Sequence, residues 1–96
     1  MDQIFHEIKI NTKGQGFYDF TDKTISWING QKIKNGILNI NILHTSASFV
    51  IQENADPDVQ TDLINFFNKI APMDNSLYIH TTEGKDDMPA HIKSAL

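Results

Sequence analysis

Cysteine is missing from all 96 residues. That excludes disulfides and thiolate metal sites, so any bound metal must be held by His, Asp, Glu or water. An excess of basic residues is missing too. The formal charge is −4 with histidines neutral, which argues against a general nucleic-acid binder but leaves room for a local anion site built from backbone N–H groups. No run approaches the roughly 20 apolar residues of a membrane-spanning helix, so no membrane partner is expected. The opening "MDQIFHEIKI" has neither a basic n-region nor a continuous apolar h-region. A secretory signal is therefore not expected, and a cytoplasmic location is. Repeats, low-complexity tracts and linkers are also lacking.

What is present is ordinary for a globular domain: 40% hydrophobic and 21% charged residues. The length predicts one domain over residues 1–96 with a modest core. In "IFHEIKIN", Ile4, His6, Ile8 and Ile10 alternate with Phe5, Glu7 and Lys9, the period of a strand. "KGQGF" marks a turn. "DFTDKTISWINGQKIKNG" reads as a helix capped by Thr21 or Asp22, weakened at Gly30 by about 1 kcal/mol and ended by Asn35-Gly36. "ILNINILHTSASFVIQE" carries the strongest strand pattern, with Leu38, Ile40, Ile42 and His44 on one face and a bend at "TSAS". "NADPDVQTDLINFFNKIAP" predicts a helix with Asp56 as cap, Pro57 in the first position, and Val59, Leu63, Phe66 or Phe67, and Ile70 as its apolar stripe. "SLYIHTT" predicts a short strand. "MPAHIKSAL" predicts a last helix beginning at Pro89 with Asp87 as cap. Mixed strands and helices with hairpin-like connections give an α+β class. The face bearing Leu38, Ile40 and Ile42 needs cover, which points to self-association.

The chemistry concentrates in two stretches. His44, His80 and His91 fall at the ends of predicted elements, and three imidazoles plus water make an open metal site. Their spacing is not that of H-E-x-x-H, so only the fold can bring them together, and the competing reading is surface or helix-end histidines. Glu83, Asp86 and Asp87 repel one another unless a cation or a proton intervenes. The competing reading is a solvated acidic turn with Asp87 capping the last helix, which leaves Asp86 without a structural duty. Gly84 permits the turn that would bring the carboxylates inward. "HTSAS" offers hydroxyls and N–H groups that suit a phosphate, or simply fill a strand bulge. His6 reads as structural or exposed.

"HTSASFVIQENADPDVQTDL" and "YIHTTEGKDDMPAHIKSAL" together closely resemble the YjbQ-like family, described as secondary thiamine-phosphate synthase enzymes. The resemblance runs from the first predicted strand to Leu96. It implies a compact α+β sandwich of mostly antiparallel strands with helices packed on it, assembled as a homotrimer. The positions it matches are His44, Ser46, Ser48, Glu53, Asn54, Asp56, His80, Glu83, Gly84, Asp86, Asp87 and His91. Members usually continue beyond the segment matching "AHIKSAL" into further strands, so the domain is expected to be incomplete at its C-terminus. The implied activity is that of a transferase. It joins a pyrimidine-methyl pyrophosphate to a thiazole phosphate and releases pyrophosphate, with a divalent metal, Mg or Zn, neutralising the leaving group. In that reading His44, His80 and His91 hold the metal. Thr45, Ser46 and Ser48 face phosphate oxygens. His80, Glu83, Asp86 and Asp87 carry the catalytic work. The alternative is a non-catalytic trimer that binds a metal or a small phosphorylated metabolite.

Overall fold

A computed structural model describes residues 2–96. It contains three α-helices: α1 (Thr21–Asn29), α2 (Pro57–Ile70) and α3 (Asp87–Ser94), with a single 3₁₀ turn at Asn75–Leu77. No β-strand forms among the described residues, which overturns the α+β sandwich. The segments expected as strands around Ile4–Ile10, Leu38–Ile51 and Leu77–Ile79 carry no ladder. Among the described residues, every backbone–backbone hydrogen bond outside the helices spans four residues or fewer. The physical reason is that alternation chooses which side chains share a face, while a strand also needs a neighbour to take its N–H and C=O groups. These segments find none.

The helices form where their ends are chemically specified. The Asp56 carboxylate accepts from the Asp58 N–H at 2.9 Å, and Pro57 takes the first helical position, as the sequence predicts for α2. Val59, Leu63 and Phe67 are its half-buried stripe, while Phe66 and Ile70 remain exposed. The Ala71 N–H closes the helix on the Phe67 carbonyl. For α1 the cap is neither Thr21 nor Asp22. Asp19, two residues upstream, accepts from the Thr21 N–H at 2.9 Å, and Thr24 bonds the Phe20 carbonyl through both its N–H and its hydroxyl. This helix stops at Gly30, short of the expected Asn35-Gly36 end. Helix α3 begins at Asp87, two residues before Pro89, and Asp87 does not act as a side-chain cap.

Packing is sparse. Ala71 and Pro89 are the fully buried residues among those described, whereas Ile51 and Ile79 are 101% exposed and Ile37 98%. The radius of gyration is 16.5 Å, against about 13 Å for a compact chain of this length. Aromatic pairs mark the local cores: Phe17 with Phe67 at 6.4 Å between ring centroids, Phe20 with Phe49 at 5.7 Å, and His6 stacked on Trp27 at 5.2 Å. An apolar hollow of about 520 Å³ separates α1 from the segment carrying Leu38, Ile40 and Phe49. The long-range polar ties are side-chain bonds, and they converge on α3 and on Asn54. Asn54 donates to Asp19 and accepts from Gln60 of α2. No helix is long and apolar enough to cross a membrane among the described residues.

Candidate metal centre

Asp87 and His91 stand one helical turn apart on α3, so their side chains share a face. His80 reaches that face from the segment after the 3₁₀ turn. Its Nε2 lies 2.7 Å from Asp87 Oδ2, and His91 Nε2 lies 3.2 Å from the same oxygen. The two imidazole rings meet edge to face at 5.7 Å. Donor atoms from His80, Asp87 and His91 all lie within 4.8 Å of one another. A tetrahedral metal with bonds of about 2.0–2.2 Å holds its donors about 3.4 Å apart, so this spacing suits a cation. Two imidazoles and one carboxylate would leave further coordination positions open.

The hydrogen-bond geometry around His91 is compatible with such a centre. His91 Nδ1 makes a long 3.4 Å contact to the Thr45 carbonyl, while its Nε2 faces the Asp87 carboxylate. Both oxygens are acceptors, and a neutral imidazole has only one N–H. An Nδ1–H tautomer would serve the Thr45 carbonyl and leave the Nε2 lone pair for a cation beside Asp87, and a ring nitrogen donating to a backbone carbonyl is the usual way a metal-binding histidine is oriented. Asp87 is held below the ordinary carboxylate range. Its hydrogen bond with His80 lowers it most, burial opposes this, and the nearby His91 lowers it further. The carboxylate is thus kept ionised, the form a metal needs.

The other predicted residues lie as follows. His44 is outside this cluster: its Nδ1 takes the Ser46 N–H at 3.0 Å and the Ser46 hydroxyl at 2.9 Å. Ser46 therefore has its donors turned on His44. Thr45 offers its carbonyl to His91 and to the Ser94 hydroxyl, which lies 3.3 Å away. Ser48 is exposed. Glu83 stands in the exposed loop beside Asp87. Asp86 precedes α3, and its carbonyl accepts from the Ala90 N–H and from Gln15 Nε2. Of the two duties expected of Asp87, the structure shows it beside the histidines and not as a side-chain cap, while Asp86 marks the helix start through its backbone. Gly84 has φ +106°, and a Cβ there would sit 3.1 Å from Asp86 Oδ1. Sequence reasoning missed the Thr45 carbonyl as a contact of the centre, because a backbone atom carries no residue signature.

Residues 6–96 match the family model described as UPF0047 protein YjbQ-like. UPF0047 protein sll1880 of Synechocystis is 49% identical over 91% of this chain and 59% of its own length. UPF0047 protein YjbQ of Salmonella typhimurium is 42% identical over 93% of this chain and 64% of its own. UPF0047 protein MJ1081 of Methanocaldococcus jannaschii is 44% identical over 95% of this chain and 62% of its own. The chain thus spans 59–64% of the length of these curated relatives. No solved structure matches it.

Proposed function

The chain belongs to the YjbQ-like UPF0047 family, and from that premise we propose that it carries a divalent-metal centre on His80, Asp87 and His91 serving thiamine-phosphate synthesis. The observation that carries the reading is the convergence of these donors on Asp87 Oδ2 across 11 positions of sequence, from 80 to 91. A divalent cation there would neutralise the pyrophosphate that leaves as the pyrimidine-methyl C–O bond breaks and a C–N bond to the thiazole forms. Asp87 orients both imidazoles, and the Thr45 carbonyl faces the other ring nitrogen of His91. The 96 residues contain no arginine, so within them no guanidinium fork is offered to a pyrophosphate.

One observation favours the metal-binding form of a second reading, that of a trimeric protein that binds a metal or a phosphometabolite without catalysis. Ser46 spends its N–H and hydroxyl on His44, which leaves no evident phosphate cradle in "HTSAS". One experiment separates the two. Metal analysis and zinc calorimetry are run beside an assay for thiamine phosphate from its two phosphorylated halves. Metal binding with product formation supports the synthase. Metal binding without product supports the binding protein. No binding at the centre removes both metal readings.

A further inference from the structure

We propose that Gln15, more than 60 residues from the donors in sequence, is a positioning residue of the metal centre, clamping α3 at both ends through one amide group. This rests on the metal reading above. Helix α3 has only eight residues, too few to be stable alone in water, so tertiary ties must set where Asp87 and His91 point. Gln15 Nε2 donates to the Asp86 carbonyl at 3.1 Å, at the helix start. Its Oε1 accepts from Lys93 Nζ at 2.5 Å, from the last turn. The lysine stem can reach back because helical side chains lean toward the N-terminus. Lys93 Nζ also donates to Asn68 Oδ1 of α2 at 2.7 Å, which ties the clamp to the longest helix.

The amide is fixed in one orientation. Lys93 can only donate and the Asp86 carbonyl can only accept, so neither flipping the amide nor replacing it with a carboxylate serves both ends. The turn that carries Gln15 is itself held. The Tyr18 hydroxyl donates to the Gly14 carbonyl at 2.7 Å and accepts from the Lys13 N–H at 2.9 Å. Gly14 has φ +128°, and Phe17 packs on Phe67 of α2. A rigid turn thus delivers a two-ended clamp to the helix that bears two of the three donors.

The test uses Gln15→Glu, Gln15→Met and Lys93→Met in the full chain, titrated with zinc by calorimetry and with cobalt by visible absorption. Gln15→Glu keeps the Lys93 end and sets a carboxylate against the Asp86 carbonyl, whereas Gln15→Met removes both bonds. Each Gln15 variant is expected to bind zinc about 10- to 100-fold more weakly and to shift the cobalt bands, with the far-ultraviolet circular dichroism retained. Lys93→Met should weaken zinc in the same direction. If the unaltered chain binds no zinc, the metal reading itself falls. If that chain binds and the Gln15 variants match its affinity and cobalt spectrum, the clamp falls and the metal reading stands. Binding lost only together with the helical signal would also overturn the clamp, in favour of a general structural role. Should Gln15→Met not fold, Gln15→Glu decides the question.

Discussion

Residues 80–94 and residues 37–51 are both dense in informative side chains, and they end in opposite conditions. In the first, His80, Asp87 and His91 converge on a single carboxylate oxygen, and the helix between them is tied at both ends. In the second, a strongly alternating apolar run acquires no ladder. Leu38, Ile40 and Ile42 are each less than half exposed, while Ile37, Leu43 and Ile51 lie nearly or wholly in solvent. The pleat-like preference for one face survives, and the sheet does not. The difference lies in what each pattern requires. A charged or polar cluster can be completed by a few side chains over short range, whereas an apolar strand needs a continuous partner surface and a row of backbone acceptors.

The sharpest way to break the comparison is Asp87→Asn. Losing the shared carboxylate should weaken zinc by more than about 100-fold in calorimetry, beyond the effect of a supporting residue. Unchanged affinity would reduce the polar region to a surface cluster no more organised than the apolar one. Gly84→Ala comes next. A positive φ and a Cβ crowding Asp86 should cost about 1–3 kcal/mol in urea unfolding. No loss would mean that the turn before α3 is free to relax.

Asp56→Ala should cost about 1 kcal/mol through the lost bond to the Asp58 N–H, read by the same denaturation. Acid should act more weakly. Hydrogen bonds hold Asp19 and Asp74 below the ordinary 3.8 through Thr21 and Ser76 respectively, and Asp87 is lowered first by His80. Folded values below unfolded ones give stability that is present above pH 3.8 and is lost as pH falls through the lowered values. Urea midpoints measured from pH 6 down to pH 2 should therefore hold until about pH 4 and then decline. A decline centred near pH 6 would point to the histidines instead.

The smallest expected effect belongs to the apolar region. Ile79→Gln and Ile51→Gln alter side chains that are 101% exposed, so stability should stay within about 0.5 kcal/mol. A larger loss in either would show that a second surface covers these residues in solution, and it would close the gap between the two regions.

The sequence by itself determined α2, because Asp56, Pro57 and the spacing of Val59, Leu63 and Phe67 specify a helix through interactions no longer than one turn. It also marked His80 and His91, with His44, as candidate metal ligands, because a neutral imidazole offers a ligand nitrogen wherever the fold places it. Only the tertiary structure decided that Asp87 rather than His44 completes their group, since an aspartate beside a helix start can cap or can face outward, and the position of His80 settles which. It alone enlisted Gln15, whose partners are at positions 86 and 93, and the Thr45 carbonyl, whose partners are at positions 91 and 94. It likewise withheld the expected sheet, because alternation within one segment records a face and holds no information about whether a second segment will pair with it.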